Sequence, residues 1–316
     1  MTNHACVFPG QGSQSVGMMT AWGDFQGSVD ETFAEASEAL GYDLWKLVSE
    51  GPEARLNQTD ITQPAMLCAG VASWRVAVQQ AAMPTPTMLA GHSLGEYTAL
   101  VCADSLQLAT AVKLVARRGQ LMQIAVPQGE GAVAVIIGLD DEAVIAACSR
   151  VAEGVVAAVN FNAPGQVAIA GHAAAVEEAM QHAKEARAKR ALPLPVSVPV
   201  HCSLMRDAAE ALAVELESIE IKMPQIPIVH NQNASVASSV EEIKELLKLQ
   251  LYQPVQWVAS VQHMHAQGIG VLTECGPGKV LTGLARRIDK SLQAQAIFDA
   301  DSLHKTHQFF GEPNPC

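Results

Sequence analysis

Aromatic residues are scarce in this sequence, and several features that would define a protein class are missing. Phe, Trp and Tyr make up 4% of the 316 residues, whereas apolar residues together reach 49%. No apolar run is long enough to cross a bilayer, and the first residues lack the basic start of a secretory signal. The seven cysteines have no metal-binding spacing. We therefore expect a cytoplasmic protein with reduced cysteines, no bound metal and no membrane partner.

Basic residues are too few for a protein that binds nucleic acid. Lys and Arg number 20 against 32 Asp and Glu, which gives a formal net charge of −12. Because nucleic-acid binding depends on basic side chains that neutralise phosphates, this balance excludes nucleic acid as the main partner. The rest of the composition, rich in Ala, Val and Leu, favours an α/β protein with helices packed on a parallel sheet.

Two glycine-rich segments suggest phosphate binding but lack the residues that it needs. In the first, Pro9–Gln14, a dinucleotide fingerprint would require a third glycine at the position of Ser15. In the second, Cys275–Lys279, a nucleotide loop would require glycine in place of Thr273 and a hydroxyl in place of Val280. Both are predicted to be loops at strand ends, and we expect no cofactor.

The segment Thr87–Leu100 contains the strongest chemical signal. Met88–Ala90 is typical of the end of a buried strand, and Tyr97–Ala103 is typical of a helix. Between them, Gly91–Gly95 has the G-x-S-x-G pattern of a sharp turn that lifts a serine hydroxyl clear of the backbone. The following helix aims its first N–H groups at the same spot and favours negative charge there. We predict that Ser93 is a nucleophile.

The segment from Leu106 to Ile124 is predicted to be a helix with adjacent arginines on different faces. At about 100° per residue, Arg117 lies opposite the apolar stripe, whereas Arg118 borders it beside Met122. We therefore expect Arg117 to be solvated. For Arg118 the geometry leaves two readings, a side chain that reaches into a cleft and one that extends to water. The stripe itself comprises Leu108, Val112, Val115, Gly119 and Met122.

Residues 129–196 are predicted to form a separate, ferredoxin-like subdomain. Their strand and helix patterns follow the order β-α-β-β-α-β, and we expect this block to border the ligand cleft. Residues 1–128 and 197–316 are predicted to form the catalytic subdomain around it. There, Pro64 is expected at the first position of a helix over 65–81, and the tail after Ile288 shows no clear pattern.

A nucleophilic serine needs a base within hydrogen-bond reach, and ten histidines are available. His92 adjoins Ser93, but neighbouring strand residues point to opposite faces. His201 and His230 follow strand-like segments, and the proline-rich lead-in 192–200 would hold His201 rigidly. We favour His201 as the base, with a structural histidine as the alternative. Because no aspartate is suitably placed, we expect a neutral group such as a backbone carbonyl to orient it.

Taken together, these motifs resemble the bacterial malonyl-CoA:acyl-carrier-protein transacylases. The resemblance runs from residue 4 to about 290. It implies an α/β-hydrolase-like core with a parallel sheet, plus the inserted ferredoxin-like (βαββαβ) subdomain. The segments that carry it are Phe8–Gln14, Gly91–Tyr97, Arg118-Gly119, Asn160–Asn162, Val198–His201, Gln250–Tyr252 and Gly276–Val280.

The resemblance also implies a reaction and roles for single residues. The malonyl group of malonyl-CoA would pass through an ester on Ser93 to the phosphopantetheine thiol of acyl carrier protein, with His201 as base, to supply fatty acid biosynthesis. The N–H groups of Gln11 and Leu94 would form the oxyanion hole. The implied substrate-binding set is Arg118 on the malonyl carboxylate, Gln250 whose carbonyl orients His201, Asn160 and Asn162 on the coenzyme A side, and Met122. For the two asparagines, capping the turn at Pro164-Gly165 is the alternative.

The expected partner is an acidic carrier protein, although this chain is itself acidic. Docking would need a local basic patch, and solvated helix ends are the alternative explanation of both candidates. The first patch comprises Lys184, Arg187, Lys189 and Arg190, and the second Lys279, Arg286, Arg287 and Lys290. We expect a monomer. Two rival functions stay open from the residues alone, a serine hydrolase built on the same turn and a non-catalytic carrier-binding scaffold.

Overall fold

The computed structural model describes residues 3–81, 83–127, 129–196 and 198–311. Within these residues the strands are β1 (His4–Phe8), β2 (Met88–Gly91), β3 (Gly131–Ile137), β4 (Val156–Ala163), β5 (Gln166–His172), β6 (Arg190–Pro193), β7 (Ile228–Val229), β8 (Val271–Cys275) and β9 (Gln293–Ile297). The α-helices of the same residues are α1 (Gln26–Leu40), α2 (Leu44–Glu50), α3 (Glu53–Leu56), α4 (Thr59–Trp74), α5 (Gly95–Cys102), α6 (Leu108–Ala125), α7 (Asp141–Ser149), α8 (Ala173–Glu185), α9 (Arg206–Glu217), α10 (Val240–Tyr252), α11 (Trp257–Ala266), α12 (Val280–Ile288) and α13 (Ala300–Gly311).

The chain divides into two compact units. The first takes in Met1–Gly119, Glu220–Val229 and Met264–Cys316, and the second takes in Gln120–Ile219 and His230–His263. In the described part of the chain, no helix is long and apolar enough to cross a membrane.

The first unit is built on a parallel sheet with the strand order β7-β2-β1-β8-β9. Every residue of β1 and β8 is buried, as expected for central strands of a sheet covered on both faces. Helix α5 packs on β1 and β2, and α12 packs on β8 and β9. Helix α4 is buried on all sides and contacts α1, α5 and β8, which makes it the internal helix of this unit.

The second unit contains an antiparallel sheet with the strand order β4-β5-β3-β6. Helices α7 and α8 cover one face through a cluster that includes Ile136, Val144 and Met180. On the other face, Val133, Val159 and Cys202 belong to a second cluster. The element order β3-α7-β4-β5-α8-β6 is the predicted β-α-β-β-α-β order. The predicted fold class, a parallel α/β core with an inserted small subdomain, is confirmed.

The sequence boundaries of the small subdomain stay a prediction. Strands β3 to β6 with α7 and α8 lie inside the predicted range 129–196, whereas the compact unit also includes α9 and α10, which pack on each other. Positions 128 and 197, next to the predicted boundaries, lie outside the described residues, as does Cys316.

One local prediction was wrong, and one segment without a clear sequence pattern forms regular structure. Helix α4 begins at Thr59 rather than at Ala65, so Pro64 lies inside it. Burial of Ile61 and Thr62 favours helix before the proline, which outweighs the local preference of proline for a first position. The tail after Ile288, where no pattern was recognised, forms β9 and α13. Strand β9 alternates Gln and Ala and owes its conformation to pairing with β8 rather than to strand propensity.

Candidate active site

Ser93 lies on a sharp turn between β2 and α5 that only glycine neighbours allow. The serine itself has φ of 51°, in the left-handed region that few non-glycine residues adopt. A Cβ atom on Gly91 would lie 1.9 Å from the carbonyl carbon of Gly95, and one on Gly95 would lie 2.1 Å from the Phe8 oxygen. Strand, turn and helix therefore cross at backbone contact distance, and the turn holds the Ser93 side chain in a half-buried position.

The loop after β1 passes directly against this turn. A Cβ atom on Gly10 would lie 2.6 Å from the carbonyl oxygen of His92, and the His92 N–H donates to Phe8 at 3.0 Å. Gln11 therefore follows the contact point, and its side-chain amide lies 3.5 Å from Thr59 Oγ1. Leu94 caps α5, and the first N–H groups of the helix, those of Gly95 and Glu96, donate to the carbonyls of His92 and Ser93 at 2.9 and 3.1 Å. An oxyanion hole made by Gln11 and Leu94 stays a prediction.

Arg118 is buried beside Ser93 although it is a charged residue. Its side chain is 1% exposed, and its Nη2 lies 3.4 Å from Ser93 Oγ. The guanidinium carbon lies 5.4 Å from the centre of the Tyr97 ring, within the range of a cation–π contact. Burial lowers the pKa of Arg118, while Tyr97 and Glu96 act in the opposite direction. Arg117, its neighbour in sequence, is exposed. The helix thus directs one arginine to the nucleophile and the other to solvent.

Gln63 also contacts Arg118, and no local pattern in the sequence predicts this contact. Its Oε1 accepts a hydrogen bond from Arg118 Nη1 at 2.9 Å, and its side chain is 1% exposed. Helix α6 approaches α4 here because residue 119 is glycine. A Cβ on Gly119 would lie 2.7 Å from Asp60 Cα. Because glutamine is usually a surface residue, its type alone does not predict that Gln63 is buried beside Arg118. The signal that was available is the Arg118-Gly119 pair, since a conformationally costly glycine in a helix indicates close packing.

His201 belongs to the second unit and is fixed by the last turn of α10. It is 1% exposed and has φ of 68°. Its Nδ1 lies 2.5 Å from the carbonyl oxygen of Gln250, and its backbone N–H donates to Leu251 at 2.9 Å. The Gln250 carbonyl is accessible because position 254, which would supply its helical donor, is proline and has no N–H. A carbonyl only accepts, so Nδ1 bears the proton and Nε2 keeps a lone pair.

The two asparagines and Met122 have different environments. Asn160 lies in β4, whose pairing with β5 is irregular between Ala158 and Asn160. Its Oδ1 is buried and has no hydrogen-bond partner among the described residues. Asn162 is half-buried in the same strand. Met122 is 2% exposed and lies one helical turn beyond Arg118 on α6.

The predicted site residues therefore form two groups. In the first unit, the structure brings Arg118 to Ser93, with Leu94 next in the turn and Gln11 in the adjoining loop. In the second unit, it brings Gln250 to His201. Chemically, the first group combines a hydroxyl with a cation, and the second is an imidazole held in the tautomer that accepts a proton at Nε2.

Comparison with known proteins gives one consistent result. The acyl transferase domain family matches residues 5–307. Malonyl CoA-acyl carrier protein transacylase of Escherichia coli K12 is 55% identical over 304 residues, which are 96% of this chain and 98% of that protein. The crystal structure of an acyl carrier protein S-malonyltransferase from Vibrio cholerae is similar with a TM-score of 0.94 and 55% identity, over 96% of this chain and all of that one (100%). A malonyl-transacylase in complex with its type II PKS acyl-carrier protein has a TM-score of 0.95 and 52% identity, over 98% and 100% of the two chains. By this similarity along nearly its whole length, the chain belongs to the malonyl CoA-acyl carrier protein transacylases and is an acyltransferase.

Proposed function

We propose that the chain transfers the malonyl group of malonyl-CoA to the phosphopantetheine thiol of acyl carrier protein, through an ester on Ser93, and so supplies fatty acid biosynthesis. The observation that carries this proposal is the buried Arg118 guanidinium, 3.4 Å from Ser93 Oγ. A guanidinium binds a carboxylate with two parallel hydrogen bonds. Malonyl thioesters end in a carboxylate and acetyl thioesters do not, so a cation beside the nucleophile selects the malonyl group.

The first half-reaction forms the malonyl ester. His201 Nε2 takes the proton of Ser93 Oγ as the oxygen attacks the thioester carbonyl, whose carbon–oxygen double bond becomes a single bond to an oxyanion. The N–H groups of Gln11 and Leu94 stabilise that oxyanion. When the carbonyl forms again, the carbon–sulfur bond breaks and coenzyme A leaves as a thiol with the proton from His201.

The second half-reaction runs the same steps with a new thiol. The phosphopantetheine thiol of the carrier protein gives its proton to His201 and attacks the ester carbonyl. Collapse of the tetrahedral intermediate breaks the bond to Ser93 Oγ, which recovers its proton from His201. The carrier leaves with the malonyl group, and the enzyme is unchanged, so the kinetics are of the ping-pong type.

Gln250 takes the place that an acidic residue has in many serine enzymes. Its carbonyl holds the His201 ring through Nδ1 and belongs to the C-terminal turn of α10. The negative end of the helix dipole favours the imidazolium that forms in each half-reaction. Such a neutral partner orients the base without a second buried charge.

For the pantetheine arm, Asn160 of β4 is proposed as a contact, because its side chain is half-buried rather than part of the core. Asn162 in the same strand and Met122 on α6 are proposed to line the same substrate.

Arg118→Ala is expected to lower kcat/KM for malonyl-CoA by about 100-fold or more, because the substrate carboxylate would be desolvated without a partner. Transfer from acetyl-CoA has no such carboxylate and should stay within about threefold of the wild-type rate. Both values are measured by transfer to holo carrier protein.

Arg117→Ala is the matched control for this prediction. It removes the same type of side chain from the adjacent, exposed position of α6. We expect it to leave the rates of transfer from malonyl-CoA and from acetyl-CoA unchanged. The carboxylate-binding role would be wrong if Arg118→Ala transferred malonyl at the wild-type rate. It would also be wrong if the variant lost malonyl and acetyl transfer to the same extent.

The first basic patch, composed of Lys184, Arg187, Lys189 and Arg190, is our choice for docking an acidic carrier protein. All four side chains are exposed at the end of α8 and the start of β6. In the second patch, Arg286 donates to the carbonyl of Ala294 at 2.9 Å and so holds α12 to β9. This hydrogen bond gives Arg286 a structural role that does not require a partner protein. Charge complementarity therefore favours the first patch.

The double variant Lys184→Glu with Arg190→Glu is expected to raise KM for the carrier protein about tenfold, because two attractive contacts become repulsive. KM for malonyl-CoA should not change. Lys279→Glu with Lys290→Glu makes the same charge change in the second patch and serves as the control. An unchanged KM for the carrier in the first double variant, or a larger rise in the control, would contradict this assignment.

We also propose that the enzyme acts in the cytoplasm as a monomer. The six described cysteines are free and buried, which is the usual state in a reducing compartment. Size-exclusion chromatography with light scattering would test the oligomeric state.

A further inference from the structure

Gln63 is a buried polar residue to which the mechanism above gives no role, although it contacts the group that recognises the substrate. Among the residues of the first unit near the guanidinium of Arg118 are Ser93, Tyr97 and Gln63. Nη2 faces Ser93 Oγ, the Tyr97 ring lies at 5.4 Å, and Nη1 donates to Gln63 Oε1 at 2.9 Å. Of these three, the Gln63 contact is the shortest.

The chemical type of residue 63 matters because the hydrogen bond is fully buried. A buried guanidinium needs acceptors for its N–H groups, and an apolar residue at position 63 would leave one of them without this bond. A carboxylate would supply an acceptor, but it would also form an ion pair with Arg118 and compete with the substrate carboxylate. An amide oxygen supplies the acceptor and adds no negative charge.

The backbone around Gln63 holds this acceptor in place. Helix α4 is the internal helix of the first unit, so the side chain has little freedom. Gly119, next to Arg118, allows α6 to approach Asp60 of α4 to a distance that any side chain would prevent. Two helices in backbone contact thus fix the donor on one and the acceptor on the other. Such rigid support is what a precisely oriented binding group requires.

We propose that Gln63 is a positioning residue for malonyl selectivity. It orients the Arg118 guanidinium beside Ser93 and leaves its positive charge available to the carboxylate of the acyl group. This inference rests on the proposed function, since it concerns how that function selects malonyl over neutral acyl groups. Gln63 itself is not expected to touch the reacting atoms.

The test is the ratio of kcat/KM for malonyl-CoA to that for acetyl-CoA, measured with holo carrier protein. Gln63→Glu is nearly isosteric and is expected to lower the ratio about 30- to 100-fold, because its carboxylate competes for Arg118. Gln63→Met keeps the volume but not the acceptor, and should lower the ratio about tenfold. Since the malonyl carboxylate is held in ground and transition states alike, the loss should lie in KM rather than in kcat.

Gln58→Glu is the matched control. It makes the same chemical change at the N-terminal cap of the same helix, where the side chain is exposed. We expect a wild-type ratio from it. If the side chain at position 63 only filled space, Gln63→Met would keep the wild-type ratio. In that case Gln63→Glu would lower kcat/KM for malonyl-CoA and for acetyl-CoA by the same factor. Either result would overturn the inference. Failure of the wild-type chain to transfer malonyl at all would instead overturn the proposed function.

Discussion

Ser93→Ala is expected to reduce kcat for malonyl transfer by at least about 10⁴-fold, to the level that binding alone supports. Gly91 and Gly95 allow the tight turn that presents the Ser93 hydroxyl. Alanine at position 93 has no oxygen on which the acyl ester could form. Without the ester, both half-reactions stop. The measurement is malonyl-carrier formation under single-turnover conditions.

The result is informative because the fold should survive the change. Alanine at φ of 51° has a strain similar to that of serine, so thermal unfolding should occur near the wild-type temperature. Ser73→Ala, which removes a buried hydroxyl bonded to Ala69 in the same unit, is the control and should remain active. Near-wild-type transfer by Ser93→Ala would show that another residue is the nucleophile.

His201→Ala is expected to lower kcat by about 10³- to 10⁴-fold, because the serine and the incoming thiol would both lose their proton acceptor. The tautomer supports this expectation. The Gln250 carbonyl holds the proton on Nδ1 and leaves Nε2 free of a proton. Added imidazole should restore part of the rate in this variant, as a small base enters the vacated volume. Stopped-flow or quenched-flow kinetics with and without imidazole provide the measurement.

His182→Ala is a close control for this variant. The Nδ1 of His182 also lies against a backbone carbonyl, that of Ala147, at 3.2 Å in the same unit. A general effect of removing such a histidine would lower both rates, whereas we expect only His201→Ala to lose activity. If imidazole gave no rescue and His182→Ala were equally impaired, His201 would be structural rather than the base.

The nucleophile turn could be predicted from the sequence because its causes are local. Gly91, Ser93 and Gly95 stand between an apolar strand and an apolar helix, and the collisions that demand glycine involve neighbours in the chain or in the adjoining strand. The β-α-β-β-α-β order was predictable for the same reason, since each element has its own periodic pattern. The confirmed fold class follows from these local signals.

Features that depend on distant contacts were not predictable in the same way. Gln63 is 55 positions from Arg118, and nothing near Gln63 in the sequence indicates that it is buried against a guanidinium. Strand β9 lacks an apolar run and forms because β8 offers it a partner. For the group that orients His201, the residues alone indicated only a neutral acceptor, and the resemblance implied the carbonyl of Gln250. Its physical cause, a helix end whose next donor is Pro254, becomes visible only when α10 and His201 are seen together.

The most direct test of the central claim is the intact mass of the purified chain after brief exposure to malonyl-CoA. A transacylase with Ser93 as nucleophile predicts a stable gain of one malonyl group, absent in Ser93→Ala and lost when holo carrier protein is added. Free malonate without an adduct would indicate a hydrolase. An unchanged mass with malonyl-CoA intact would indicate a non-catalytic protein, and either result would contradict the account.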